Sequence, residues 1–161
     1  MNKQASIKNP NQRWKENYSI KKESRVIKGE KIKRRVQMSK IDEVKKILSE
    51  LERRVPDIIG SAVIRTNGLI IASALPSESN ERMVAAMSAA LLGTSKRTAE
   101  ALFNGEFKSL SLEIDKGNMF LLGAGRVILV GLTNKEPNIG LVTLEMEDTS
   151  KKLSEIFQVE G

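Results

Sequence analysis

From position 41 the apolar residues fall at helical spacing. Ile41, Val44, Leu48 and Leu51, joined by Ile47, recur at intervals of three and four, which gathers them on one face of an amphipathic helix. Ser39 and Asp42 just ahead have the S-x-x-D spacing of a capping box, whose side chains take up the first unpaired amides of a helix. Val55-Pro56 ends the stripe, because the residue before a proline avoids helical angles. Residues 58–66 and 69–75 are apolar, β-branched runs, and Asn67-Gly68 between them suits the positive φ values of a tight hairpin turn. Pro76 and Ser77 break the second run. Ser79 with Glu81 or Arg82 then opens a long helix that reaches Phe103 and stops at Asn104-Gly105.

Over 107–115 the pattern changes to alternation, with Leu110, Leu112 and Ile114 on one side and Ser109, Ser111 and Glu113 on the other. The turn Asp115-Lys116-Gly117-Asn118 leads into a strand at 119–124, and Gly125-Arg126 leads into another at 127–133. Pro137-Asn138 precedes a last helix with apolar positions at Leu141, Val142, Leu144, Leu153, Ile156 and Phe157. The predicted order is α-β-β-α-β-β-β-α. Connections this short force antiparallel neighbours, since a parallel pair needs a crossover. The run VILVGLT is almost wholly apolar, which suits a central strand covered on both faces. The expected fold is an α+β sandwich: a five-stranded antiparallel sheet with the long helix on one face and the two terminal helices on the other.

Residues 1–37 are unlike the rest. Their few apolar side chains follow neither period for long, so burial cannot offset the entropy of ordering them, and the reading is a disordered extension. A helix over 24–37 running into the first helix, with Ile27 and Ile32 against the domain, is the one alternative. The net charge of +7 divides unevenly: +9 falls on residues 1–37 and −2 on residues 38–161. Any attraction to nucleic acid or anionic membrane therefore rests on the extension, where Trp14 and Tyr18 sit among the basic residues. Met38-Ser39-Lys40 also reads as a natural start, which would make residues 1–37 upstream sequence. The domain reading is an extension at 1–37 and one folded domain at 38–161.

The catalytic inventory is poor. The chain has no Cys and no His, which removes disulfides, thiolate and imidazole metal sites, and Ser-His-Asp or Cys-His nucleophile arrangements. No G-x-x-x-x-G-K-[ST] loop occurs, and Gly123-Ala124-Gly125 lacks the third glycine of a dinucleotide fingerprint because Ile128 stands there. Glu145, Glu147 and Asp148, followed by Lys151 and Lys152, read as a solvated helix face of ion pairs. Arg126 reads as a charged turn residue. No catalytic, cofactor-binding or metal-ligating residue is nominated, and the chain is expected not to be an enzyme. No apolar run is long enough to span a bilayer, and there is no signal-like start, so the expected location is the cytoplasm.

The long helix is more informative. Met83, Val84, Ala85, Ala86, Met87, Ala89, Ala90, Leu91 and Leu92 spread small and apolar residues round most of its circumference. A helix lying on a sheet needs only one such stripe. The second stripe is expected to meet another chain, with methionines that adapt to a partner's shape.

Taken together, the amphipathic first helix, the AVIRTNGLIIASALP hairpin, the Ala/Met helix from Glu81, the LSLEID strand, the GAGRVILVGLT arm and the NIGLVTLEME helix resemble the Roadblock family of dynein light chains and their prokaryotic relatives. The resemblance covers residues 39–157 and leaves out 1–37. It implies homodimers formed by the middle helices and the edge strand nearest them, and association with Ras-like small GTPases as scaffold or activator. In the bacterial polarity relatives, activation reshapes the GTPase's own site without a donated arginine, so the resemblance gives Arg126 no role. The expected partner surface combines Met83, Met87, Ala90, Leu91 and Thr94 with the strand at 108–114, including Ser109, Ser111 and Glu113. The competing reading is an adaptor that binds nucleic acid or anionic membrane through residues 1–37.

Overall fold

A computed structural model describes residues 9–158 and divides the chain into two units, Met1–Ser39 and Lys40–Gly161. The first helix, α1 (Pro10–Arg54), is 45 residues long and carries residues of both. This corrects the expectation of disorder over 1–37: residues 10–37 are helical, while 1–8 lie outside the described residues. The Asn9 carbonyl accepts hydrogen bonds from the Gln12 and Arg13 amides at 2.9 and 3.2 Å, closing the first turn. Beyond it come mostly Lys, Arg, Glu and Gln, good helix formers, with no proline before Pro56. Scarcity of apolar side chains limits what a helix can pack against. It does not weaken the backbone bonds, which propagate at one per residue once begun. Ser39 consequently lies inside the helix, and the expected capping box with Asp42 does not form. Ile27 and Ile32 are both more than half exposed.

In the second unit the remaining elements are β1 (Ile58–Arg65), β2 (Ile70–Ala74), α2 (Glu81–Phe103), β3 (Ser109–Ile114), β4 (Gly117–Ala124), β5 (Val127–Thr133) and α3 (Ile139–Gln158). The sheet runs β2-β1-β5-β4-β3 with every pair antiparallel, so VILVGLT is the middle strand as its composition predicts. Alternation along the strands splits the core in two. Val63, Phe120, Leu122, Val127 and Leu129 face Val44, Leu48 and Leu51 of α1 and Val142, Met146, Leu153 and Phe157 of α3. Ala62, Ile64, Leu121, Ile128 and Val130 face Ala85 and Leu92 of α2. The expected layering, one helix against two, is the observed one.

Several local details differ. Only Gly68 takes a positive φ (+85°) between β1 and β2. Its amide donates to the Arg65 carbonyl at 2.9 Å and the Arg65 amide donates to the Leu69 carbonyl at 2.8 Å. The loop is therefore a three-residue turn closed by a left-handed glycine, not a two-residue turn with both centres left-handed. The cap of α2 is Asn80, whose side chain accepts from the Met83 amide at 3.1 Å, and not Ser79. At its other end Asn104 is left-handed, with φ 47° and ψ 40°, and the helix stops where the sequence predicts. In α3, Leu144 is 63% exposed and takes no part in the core.

Candidate protein-protein interface

The packing of α2 explains its excess of small and apolar residues. Ala85, Ser88 and Leu92 are buried towards the sheet, and the Ser88 hydroxyl donates back to the Val84 carbonyl at 2.7 Å, which lets a polar residue sit there without cost. Met83, Met87, Ala90 and Thr94 recur at spacings of four and three on the opposite side, and all are exposed. Met83 and Met87 keep 58% and 54% of their surface open. The second stripe read from the sequence is thus present and uncovered. Leu91 departs from it: this side chain is partly buried against the core beneath α2. At the far end Leu102 and Phe103 are 70% and 80% exposed, an apolar end that the sequence reading assigned to no surface.

β3 is an edge strand. Its first contact with β4 fixes the geometry: the Gly123 amide donates to the Lys108 carbonyl at 3.2 Å. In an antiparallel ladder, hydrogen-bonded and non-bonded pairs alternate. Leu110, Leu112 and Ile114 are therefore bonded to β4, while Ser109, Ser111 and Glu113 turn their amides and carbonyls to the open edge. Their side chains lie on the sheet face away from α2, so the predicted helix and strand residues do not share one face. What lies on the α2 side is Leu110, Leu112 and Ile114, and the last two are 42% and 56% exposed.

Those two side chains border an apolar groove of about 280 Å³ with Ile59, Met119 and Leu132. Ile59 reaches it because the register of β1 against β5 shifts between Ile58 and Gly60, a bulge that re-aims the extra side chain. Alternation in the sequence located the apolar side of β3. It could not reveal that the strand lies at the edge, which depends on pairing across the whole sheet.

Two acidic residues of α3, Glu145 and Asp148, form ion pairs. Arg54 lies 3.3 Å from Glu145 and 3.8 Å from Asp148, and Lys152 lies 2.9 Å from Asp148. The Lys152 hydrogen bond and charge hold the Asp148 carboxyl below its ordinary range. Among the described residues no three acidic side chains converge as metal ligands would. Arg126 is exposed in the β4–β5 turn, next to Gly125 with φ +64°. No helix among the described residues is long and apolar enough to cross a membrane.

The architecture has counterparts among known proteins. The family model described as the Roadblock/LC7 domain matches residues 44–133. Two uncharacterised proteins of Methanocaldococcus jannaschii, MJ1340 and MJ0310, are each 33% identical over 114 residues, covering 71% of this chain and 99% of theirs. Among solved structures, Myxococcus xanthus MglB superposes with a TM-score of 0.69 at 21% identity, covering 74% of this chain and 90% of that one. A Roadblock/LC7 domain from Streptomyces avermitilis superposes at 0.65 with 20% identity, covering 71% and 97%. With more than half its length matched by the family model and its fold shared with these structures, the chain belongs to the Roadblock/LC7 domain family.

Proposed function

We propose that this chain is a non-catalytic cytoplasmic module that forms homodimers and, as a dimer, scaffolds or activates a Ras-like small GTPase. One observation carries the dimer: an exposed apolar stripe on α2 stands on the same unit as an edge strand whose outward backbone groups are unpaired within the sheet. Monomers seldom leave such an edge without protection, and two of its three outward residues, Ser109 and Ser111, are short and neutral, with Glu113 the one charge. A second copy answers both needs. Strand addition satisfies the β3 backbone, and the α2 stripes give apolar burial on one side of the joined sheet. A solved relative is described as MglB with a tetrameric arrangement, which supports self-association for this chain as well. The GTPase assignment rests on family membership, and the non-catalytic reading on the absence of His, Cys and a P-loop from the sequence.

The test has two stages. Size-exclusion chromatography with light scattering should give twice the chain mass. The folded dimer, used as bait in native extract supplied with either GTP or GDP, should then retain a Ras-like GTPase. A well-folded bait that retains none in either nucleotide state overturns the partner assignment, whatever the oligomeric state.

A further inference from the structure

The first unit carries a charged surface that includes none of the residues of the proposed dimer interface. Along α1, Tyr18, Lys21, Arg25, Lys28, Ile32 and Arg35 alternate at spacings of three and four, which aligns them in one narrow stripe. Trp14 begins it, and its ring stacks on Tyr18 at 5.4 Å between centroids and 13° between planes. Glu16, Glu23 and Glu30, seven residues apart, run along the opposite side. Lys15, Lys22 and Lys33 fall along one flank of the basic stripe and Arg13 and Lys31 along the other. Among the described residues of the first unit, Arg34, four residues after Glu30, is the one basic side chain on the acidic side. The helix thus separates its charges: basic over more than half its circumference, acidic behind.

We infer that this helix docks a nucleic-acid duplex, with the basic stripe turned into the groove and the two basic flanks towards the phosphate rows. Two features favour a duplex over a lipid surface. A helix that lies in a membrane interface puts its aromatic and aliphatic residues on one face and Lys and Arg on the other. Here Trp14, Tyr18 and Ile32 share the face of the bases, and the centre of that face is Lys21, Arg25 and Lys28. A flat anionic surface also meets one side of a helix only, whereas a groove presents phosphates on both, as where continuous basic helices cross the major groove. From Arg13 to Arg35 the helix rises about 33 Å, more than enough to cross a major groove about 12 Å wide and reach the phosphates on both sides. The contacts are to phosphates, so the binding is expected to be electrostatic and indifferent to sequence.

The test is titration of the full chain into a fluorescently labelled mixed-sequence DNA duplex of about 20 base pairs, across roughly 50–300 mM salt. Micromolar binding is expected, with log K falling against log salt at a slope of about −4 or steeper. Replacing Lys21, Arg25 and Lys28 together by Gln, which keeps a good helix former at each position, should weaken binding at least about tenfold at low salt and flatten the slope by about three. Circular dichroism checks that the helix persists. The same charge change at Lys45, Lys46 and Lys151 should leave the slope nearly unaltered. A shallow slope, a triple variant that binds like the parent, or tighter capture by phosphatidylserine vesicles than by the duplex at equal salt each overturns the inference.

Discussion

Ser111 and Phe120 are cross-strand partners that exchange no hydrogen bond, so the amide and carbonyl of Ser111 point away from the sheet at the midpoint of its open edge. Ser109 and Glu113 do the same on either side. A second β3 joined by a two-fold axis uses all three residues in only one antiparallel register, with Ser111 opposite its own copy and Ser109 opposite the copy's Glu113. The same register sets Leu110 across from the copy's Leu112 on the α2 side.

That register is readable by crosslinking, because the chain has no native cysteine. Directly opposed hydrogen-bonded residues stand about 5.5 Å apart at Cα, inside the roughly 4.4–6.8 Å range that a disulfide spans. Ser111→Cys should give a disulfide-linked dimer on a non-reducing gel under mild oxidation, and Ser109→Cys should not. The reverse pattern means the strands meet in another register or not at all.

Ala90 lies in the middle of the exposed α2 stripe. Ala90→Glu should produce monomers, since a charge buried in an apolar interface without a partner is costly to desolvate. Light scattering reads the mass directly. A variant that stays dimeric at micromolar concentration places the interface on another face.

Gly117 opens β4 where no side chain fits. A Cβ there would come within 2.5 Å of the Thr133 carbonyl oxygen, a backbone atom held in the neighbouring strand. Gly117→Ala should lower stability by about 1–3 kcal/mol in urea denaturation, the usual range for overpacking. Gly140, at the start of α3, has only the Asn138 side chain nearby at 3.6 Å. Gly140→Ala should be neutral or add up to about 1 kcal/mol, because alanine loses less backbone entropy on entering a helix.

Asp148 predicts a pH effect. Its folded pKa is depressed, chiefly by the Lys152 hydrogen bond. A depressed carboxyl contributes stability above its unfolded pKa and loses it as pH falls through the folded value. The parent should therefore exceed Asp148→Asn in thermal stability at neutral pH, and the two should converge in acid below the ordinary carboxylate range. The difference should be small because the group is exposed. A difference that grows on acidification has the wrong sign for this pairing.

The elements of the second unit were legible because each is written in local chemistry. The Asn104 stop, the Val55-Pro56 break, the alternation of LSLEID and the unbroken apolar run of β5 all act within a few residues. Where the reading missed, a second local solution was competing: Asn80 displaced Ser79 as cap, and the hairpin took three loop residues instead of two. The largest miss was residues 10–37. The segment lacks an apolar stripe, but its run of helix-forming residues holds no proline after Pro10 and sustains the backbone bonds through Gly29.

By itself the sequence determined the order and type of the elements, the antiparallel sheet with β5 at its centre, and the two apolar stripes on α2, because periodicity reports which faces of an element avoid water. Only the tertiary structure decided that β3 lies at an edge, that Leu91 turns inward while Met83, Met87, Ala90 and Thr94 stay open, and that Ile59, Leu112 and Ile114 meet across strands in a groove. Those facts depend on which strand pairs with which, and on where a bulge shifts the register. The lining of that groove brings in residues more than fifty positions apart in the chain, beyond the reach of any local pattern.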